Sequence, residues 1–227
     1  MIIGLNGNML MLSNIKGAIF DMDGVLLNSE ILYQRFWCEA GREFGYPFEA
    51  KHVLRLRSLT GINAIKVLEE MFHEGFPYEE VKARRKILME EHIDKYGVEV
   101  KEGVREILEY LKEQGIKLAL ATSSERNRAK KHLSLNGLWD YFDETVCGGE
   151  VVNGKPEPDI YELAAKKLGF KPEECLAFED SPNGVTSAYR AGCITVMVPD
   201  LDEPTQELMS MVDYKIDGLN KFYKINE

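Results

Sequence analysis

Short apolar segments of strand length alternate with segments of helical periodicity along most of the chain. Several of the apolar segments are continuous instead of alternating with polar residues, which is typical of strands buried on both faces of a sheet. This pattern predicts strands at residues 17–21, 117–122, 144–147, 176–179 and 194–198.

Between these strands, apolar residues recur at the three- and four-residue spacing of a helix, and each such segment ends at a glycine. We predict helices at residues 104–114, 158–168 and 182–190, followed by Gly115, Gly169 and Gly192. Strands that alternate with helices of this length indicate an α/β fold with a Rossmann-like parallel sheet and right-handed crossovers.

A segment from residue 31 to residue 97 breaks this alternation. Helical patterns follow one another there without a convincing strand between them. We therefore expect a Rossmann-like catalytic core of residues 1–30 and 98–227, with a helical cap of residues 31–97 inserted after the first strand. Helices are predicted in the insert at residues 32–44, 50–56, 63–72 and 78–96.

Composition narrows the class of protein. The 227 residues include 28 Lys and Arg against 38 Asp and Glu, a formal net charge of −10, which argues against a nucleic-acid-binding surface. No apolar run is long enough to span a membrane, and the first residues lack the features of a signal peptide. The four cysteines are widely spaced, so we expect reduced thiols and a cytoplasmic protein. For the oligomeric state we expect a monomer or a weak homodimer.

Polar residues collect where the predicted strands end. The first strand leads into D-M-D-G, the second into T-S-S and the fourth into E-D-S, while G-K-P-E-P-D lies beyond the third. Ligands bind outside the carboxyl ends of the strands in an open α/β sheet, so we expect these side chains to share one site. The candidate residues are Asp21, Asp23, Thr122, Ser123, Lys155, Glu179 and Asp180.

The chemistry of this set indicates a metal ion and a phosphate. Neighbouring carboxylates repel one another unless a hard divalent cation with oxygen ligands compensates them. We expect Mg²⁺ on Asp21 and Asp180, with Glu179 nearby or acting through water. Thr122 with the amides after it, and Lys155 from the opposite side, are suited to a tetrahedral oxyanion. One carboxylate can then attack phosphorus, as in aspartyl-phosphate enzymes.

A second D-x-D pair offers a comparison within the same chain. Asp200 and Asp202 also follow a predicted strand, but Pro199 intervenes and no glycine follows to open the backbone. We interpret this pair as part of a solvated loop, whereas the pair at residues 21 and 23 ends an apolar run, where an unpaired charge is unfavourable unless a metal or substrate compensates it.

Four segments resemble, in order and spacing, the four motifs of the haloacid dehalogenase-like superfamily: DMDGVLLNSE, LALATSS, GKPEPD and FEDSPNGV. The resemblance covers about residues 17 to 198, and the helical insert is similar to the small α-helical cap of that superfamily. It implies that Asp21 is the nucleophile and Asp23 the general acid/base. It also implies that Thr122, the adjoining Ser123 and Lys155 hold the transferring phosphoryl group.

The same resemblance implies how the metal is bound. Mg²⁺ would lie on Asp21, on the main-chain carbonyl of Asp23 and on Asp180, with Glu179 supporting. A general acid at Asp23 suits a departing sugar oxygen, which needs a proton, whereas a halide leaves without one. The resemblance therefore favours phosphate-ester chemistry over dehalogenation.

Within the superfamily, the chain looks like the branch of β-phosphoglucomutases and small sugar-phosphate phosphatases. Its cap loop at residues 59–64 resembles the substrate-specificity loop of that branch, so we assign Thr60, Gly61 and Asn63 to specificity. Trp37 either contacts substrate or packs between cap helices. The mutases have a basic residue shortly after the loop glycine, where this chain has Asn63 and Ala64, and a histidine where it has Tyr33.

These departures favour hydrolysis over mutase activity, because a mutase must hold a bisphosphate intermediate and each missing cation weakens its grip. We expect an Mg²⁺-dependent phosphatase that acts through an aspartyl phosphate on a small phosphorylated metabolite, a sugar or polyol phosphate. A phosphosugar mutase is the alternative enzyme. A protein that only binds phosphorylated metabolites is the alternative outside catalysis.

Overall fold

The computed structural model describes residues 10–56, 59, 61–73, 75–200 and 204–224, with side chains as far as residue 222. Six parallel strands form one sheet in the order β3-β2-β1-β4-β5-β6. The parallel sheet and the helical insertion confirm the predicted fold class. The strands are β1 (Gly17–Phe20), β2 (Lys117–Glu125), β3 (Glu144–Gly148), β4 (Cys175–Glu179), β5 (Ile194–Met197) and β6 (Tyr214–Lys215).

Strand β1 lies at the centre of the sheet, where it pairs with β2 on one side and with β4 on the other. All residues of β1 and β4 are buried, as expected for strands covered on both faces. The chain moves from β1 outward to β2 and β3 and then returns to β4 on the opposite side of β1. The strand order therefore reverses beside β1, and a reversal of this kind marks the ligand site in α/β sheets.

The helices of this sheet-containing unit cover the faces of the sheet. The predicted helices at residues 104–114, 158–168 and 182–190 are all present, each within one residue at either end. Helix α6 is absent from the predicted elements because most of its residues are polar and show little helical periodicity. The helices are α5 (Val104–Glu113), α6 (Arg126–Leu135), α7 (Asp159–Leu168), α8 (Pro182–Ala191), α9 (Gln206–Met209) and α10 (Asn220–Lys224).

The chain divides into two compact units, one of residues 1–28 and 99–227 and the other of residues 29–98. These boundaries differ by one or two residues from the expected limits of the cap at residues 31 and 97. The second unit, which we call the cap unit, contains helices and no strand among its described residues. Its helices are α1 (Ser29–Glu43), α2 (Ala50–Leu54), α3 (Gly61–Phe72) and α4 (Tyr78–Tyr96).

The two segments that lead into and out of the cap unit are hydrogen-bonded to each other. The backbone N–H of Asn28 donates to the carbonyl of Glu99 at 2.8 Å, and the N–H of Lys101 donates to the carbonyl of Leu26 at 3.0 Å. The insertion therefore leaves and re-enters the sheet-containing unit at one place, shortly after β1.

Two further observations bear on the predicted class. Strand β6 has only two residues, too few to give a recognisable sequence pattern, and it extends the sheet at one edge. In the described part of the chain, no helix combines the length and the apolar character needed to cross a membrane.

Candidate active site

Three carboxylates meet at the carboxyl ends of the central strands. Asp21 follows β1, Glu179 ends β4 and Asp180 follows it. All three residues are buried, and each offers an oxygen within 4.8 Å of the others. The N–H of Asp21 donates to the carbonyl of Phe178 at 3.1 Å, which continues the β1–β4 ladder to the site. The parallel register of these two strands therefore brings together carboxylates more than 150 residues apart in sequence.

Two glycines allow this close approach. Gly24 has a φ of +83°, a left-handed conformation that favours glycine, and a Cβ atom built there would overlap the carboxylate of Asp180. A Cβ atom at Gly184, in the first turn of α8, would overlap the carboxylate of Glu179. The glycines of D-M-D-G and S-P-N-G are thus required by the packing of the acidic groups.

Lys155 lies among these acidic groups and links residues that belong to or follow β1, β2 and β4. Its Nζ donates to Asp21 Oδ1 at 2.9 Å, to Glu179 Oε1 at 2.6 Å and to the carbonyl of Ala121 at 3.1 Å. Its side chain is only 8% exposed. One buried ammonium therefore pairs with two buried carboxylates, and charges at this depth require such pairing.

Glu179 accepts hydrogen bonds on both of its carboxylate oxygens. Besides Lys155, its Oε1 accepts from the hydroxyl of Tyr161 at 2.7 Å. Its Oε2 accepts from the N–H of Asp180 at 3.1 Å and from the N–H and the hydroxyl of Ser181. Ser181 in turn accepts from the N–H of Gly184 and caps helix α8. Glu179 thus orders Lys155 and the start of α8 at the same time.

Burial shifts the ionisation of these groups. It raises the pKa of Asp21 to about 7, while the ammonium of Lys155 acts in the opposite direction. For Lys155, burial disfavours the ammonium, but Asp21 and Glu179 outweigh it and hold the pKa above its usual range. Burial, followed by Glu179, raises the pKa of Tyr161 well above its usual value. Lys155 therefore remains a cation and Tyr161 a hydrogen-bond donor across the physiological range.

The T-S-S segment supplies hydroxyl groups on the other side of β1. Thr122 is buried and its Oγ1 accepts from the N–H of Ser124 at 3.1 Å. The side chain of Ser123 is exposed. The hydroxyl of Ser124 donates to Asp23 Oδ2 at 2.9 Å, so Asp23 is bonded to this segment. Ser124 and not Ser123 therefore provides the side-chain contact to the second aspartate of D-M-D-G.

The acidic cluster fits a divalent metal ion in its donor chemistry. Within the described residues the cluster consists of Asp21, Glu179 and Asp180, and it offers only carboxylate oxygens, the ligands that hard divalent cations prefer. Both oxygens of Glu179 already accept hydrogen bonds from the protein, whereas Lys155 bonds Asp21 through Oδ1. Asp21 is therefore better suited to direct ligation than Glu179.

The cap residues assigned to specificity lie in the cap unit. Trp37 is 2% exposed and stacks on Phe48 and Tyr78, with ring centroids 5.9 and 6.1 Å apart. These rings belong to the interior of the cap unit, and Trp37 packs among them. Gly61 and Asn63 are exposed in the first turn of α3. Thr60 lies outside the described residues.

The structure also corrects the interpretation of the second D-x-D pair. Asp200 is not solvated: its side chain is 10% exposed, and its Oδ1 accepts from Lys101 Nζ at 2.6 Å. The same ammonium donates to the carbonyl of Gly24 at 2.7 Å. Asp200 therefore anchors the backbone beside the active site, a role that sequence spacing does not reveal because its partner lies 99 residues away. Asp202 falls outside the described residues.

Tyr161 and Arg128 are absent from the residues assigned on the sequence. Tyr161 has the spacing of a core residue of α7. Its hydroxyl contact with Glu179 and the Lys155 ammonium, 5.2 Å from the centre of its ring, connect it to the site. Arg128 belongs to α6, which was not predicted, and its Nη1 donates to Ser124 Oγ at 2.9 Å. No sequence signal marks either contact, because each depends on how a helix is seated against the sheet.

Comparison with known proteins gives a consistent picture. The family model described as haloacid dehalogenase-like hydrolase matches residues 18–198. A phosphorylated carbohydrates phosphatase of Thermotoga maritima is 37% identical over 179 residues, which cover 78% of this chain and 82% of the relative. Hexitol phosphatase B of Escherichia coli (strain K12) is 30% identical over 216 residues, covering 91% of this chain and 94% of that protein.

A solved structure is similar over nearly the whole chain. A crystal structure from Thermotoga maritima that carries a provisional β-phosphoglucomutase name superposes with a TM-score of 0.75 and is 30% identical. It covers 93% of this chain, which in turn covers 98% of it. The resemblance drawn from the four sequence motifs is thereby confirmed.

Proposed function

The chain belongs to the haloacid dehalogenase-like hydrolase family, and from this premise we propose that it is a phosphatase of small phosphorylated metabolites, with sugar or polyol phosphates as the expected substrates. The observation that carries the proposal is the convergence of Asp21, Lys155, Glu179 and Asp180 at the strand ends next to β1. The names of the relatives, a phosphorylated carbohydrates phosphatase and a hexitol phosphatase, support the substrate class.

The proposed reaction has two steps. In the first, an oxygen of Asp21 attacks phosphorus while the bond to the ester oxygen breaks, and Asp23 gives a proton to the departing alcohol. In the second, water attacks the aspartyl phosphate, Asp23 takes a proton from that water and the bond between Asp21 and phosphorus breaks. Lys155 and Thr122 bind the phosphoryl oxygens, where charge develops in both transition states.

We propose Mg²⁺ as the metal cofactor, held by Asp21, Asp180 and the main-chain carbonyl of Asp23. When bound, the ion offsets the repulsion among the carboxylates and the phosphate. Glu179 acts indirectly in this scheme: its hydrogen bonds hold Lys155 and the loop before α8. Contacts within the protein thus hold Glu179 and Lys155 beside the proposed metal ligands.

Mutase activity is the second candidate, and the similarity to the structure that carries a β-phosphoglucomutase name favours it. We propose hydrolysis because Asn63, exposed at the start of α3, supplies no positive charge for a second phosphate. An assay that interconverts sugar 1- and 6-phosphates, primed with the bisphosphate, distinguishes the two. Interconversion faster than phosphate release would favour the mutase.

The central experiment is phosphate release from a panel of phosphorylated metabolites by the wild type and by Asp21→Asn, with and without Mg²⁺. The variant is expected to keep its fold and lose turnover, because an amide oxygen is a far weaker nucleophile than a carboxylate. Asp140→Asn, an exposed site on the same unit, is the matched control and should retain activity. Full activity of the Asp21 variant would contradict the covalent mechanism.

A cytoplasmic location is proposed from the cysteines. Cys38, Cys147, Cys175 and Cys193 are all free and buried, and burial raises the pKa of each thiol. They serve as small apolar packing groups and require no oxidising compartment to form disulfides. Fractionation of cells that produce the protein would test this location.

A further inference from the structure

We infer that Arg128, acting through Ser124, is a positioning residue for Asp23 and thereby controls proton transfer to the leaving group. The inference rests on the proposed phosphatase function and assigns a role to two residues that the family motifs do not require for phosphate binding. It is carried by a continuous hydrogen-bonded connection from helix α6 to the second aspartate of D-M-D-G.

The connection has two short steps. Arg128 Nη1 donates to Ser124 Oγ at 2.9 Å, and Ser124 Oγ donates to Asp23 Oδ2 at 2.9 Å. A guanidinium can donate hydrogen bonds but cannot accept them. The single hydroxyl hydrogen of Ser124 therefore cannot be directed at Arg128, and the serine is oriented to donate toward Asp23. The guanidinium of Arg128 thus fixes the direction of the hydroxyl hydrogen bond that the acid/base aspartate accepts.

Ser124 is itself held in place by the site. It is 9% exposed, and its N–H donates to Thr122 Oγ1, the hydroxyl proposed to contact the phosphoryl group. Arg128 follows Ser124 by four residues, in the first turn of α6, so the helix directs its side chain back toward the end of β2. The same short segment therefore ties Asp23 to the group that binds phosphate.

The reaction needs this order because proton transfer depends steeply on geometry. Asp23 must give its proton to the ester oxygen as that oxygen leaves phosphorus, and must later take a proton from the attacking water. Asp23 is only partly buried, so its side chain needs a fixed partner to stay in one rotamer. Ser124, oriented by Arg128, is such a partner.

Arg126 provides the matched control, because it has the same side chain two residues earlier on α6 but points elsewhere. Its guanidinium donates to Thr145 Oγ1 at 2.8 Å and to Glu150 Oε1 at 2.7 Å. Replacing Arg126 removes an arginine from the same turn without touching the link to Asp23. Arg126→Met and Arg128→Met therefore separate a general effect on the helix from the proposed positioning effect.

The test compares two leaving groups in the full chain. An aryl phosphate such as p-nitrophenyl phosphate releases a stable phenolate and needs little protonation, whereas a hexitol phosphate releases an alkoxide that does. General acid catalysis contributes about 10²- to 10⁴-fold, so partial misplacement of Asp23 should lower kcat/KM for the hexitol phosphate about tenfold or more in Ser124→Ala and Arg128→Met. For the aryl phosphate we expect a loss of less than about threefold in kcat/KM for the same reason.

Arg128→Lys, which keeps a cationic donor, should restore part of the loss with the hexitol phosphate, and Arg126→Met should leave the ratio of the two kcat/KM values unchanged. Equal losses for both substrates, or a rise in KM with kcat unchanged, would overturn the inference by showing a structural or a substrate-binding role. If the wild type is active and Ser124→Ala and Arg128→Met have the same activity as the wild type, this inference is wrong but the proposed function stands. A wild type that releases phosphate from neither substrate would overturn the proposed function as well.

Discussion

The strand ends around β1 and the interior of the cap unit both bury large side chains, but one buries charge and the other buries aromatic rings. At the strand ends, Lys155 is 8% exposed and pairs with two carboxylates. In the cap unit, Trp37 is 2% exposed and stacks on the rings of Phe48 and Tyr78. A buried charge needs a partner of opposite charge in a fixed position, and such a pair can take part in catalysis. Buried rings need only close packing, and their contribution is to stability.

Lys155→Met should have the largest effect, because the lysine contributes both to catalysis and to the stability of the buried carboxylates. We expect kcat to fall by about 10²- to 10³-fold through loss of electrostatic stabilisation of the phosphoryl group. The free energy of unfolding should fall by about 3 kcal/mol, since Asp21 and Glu179 lose a buried partner. Steady-state kinetics and urea unfolding measure the two effects. Loss of activity with unchanged stability would contradict the proposed pairing in the free protein.

Trp37→Ala tests the aromatic region. Removing a buried indole should lower the free energy of unfolding of the cap unit by about 3 to 5 kcal/mol. The indole Nε1 has no hydrogen-bond partner among the described residues, so Trp37→Phe loses less and should remain folded.

Kinetics of Trp37→Phe then separate packing from substrate contact. A packing role predicts a KM within about twofold of the wild type, because no contact with the substrate is lost. A several-fold increase in KM at full stability would show instead that the ring touches the substrate.

Lys101→Met tests an ion pair that is more exposed than the pairs of Lys155. Lys101 and Asp200 are 20% and 10% exposed, and the lysine also bonds the carbonyl of Gly24. We expect a loss of about 1 to 2 kcal/mol in the free energy of unfolding, less than for Lys155 because solvent partly screens the pair. Adding Asp200→Asn should cost little more, since the two residues act together. Additive losses in urea unfolding would show that they act separately.

Glu150→Gln should have the smallest effect, and it should depend on pH. Burial raises the pKa of Glu150, but hydrogen bonds from Lys167 and Arg126 outweigh it, so the net pKa lies below the ordinary 4.5. A lowered native pKa stabilises the fold above pH 4.5, and this contribution is lost as the pH falls through the native value. The variant should lose less than about 1 kcal/mol at pH 7, because the pair is partly exposed.

Thermal unfolding of the wild type and Glu150→Gln between pH 3 and pH 7 measures this effect. The difference between the two proteins should shrink as the pH falls below 4.5. A difference that stays constant across the range would show that the charge of Glu150 does not contribute.

Much of the catalytic region was accessible from the sequence because each of its groups follows a strand. The apolar run before Asp21 and the glycine after Asp23 predict a strand that ends in an acidic turn. Parallel pairing then brings the ends of β1, β2 and β4 to one edge. Strand periodicity is local, so it can be recognised without knowledge of distant contacts.

The supporting residues were not accessible in the same way. Tyr161, Arg128 and Lys101 are unremarkable in sequence, and their roles depend on the direction in which one side chain leaves a helix or loop. Trp37 could be a substrate contact or a core residue on sequence grounds, and only the structure shows that it stacks on Phe48.

The order of apolar and polar segments by itself determined the α/β architecture, the helical insertion and the set of acids, hydroxyl groups and lysine at the strand ends. Only the tertiary structure decided that both oxygens of Glu179 accept hydrogen bonds, that Arg128 reaches Asp23 through Ser124 and that Lys101 joins Asp200 to Gly24. The physical reason is the distance along the sequence over which each interaction acts. Strands and turns follow from neighbours along the chain, whereas a buried charge finds its partner through the packing of elements far apart in sequence.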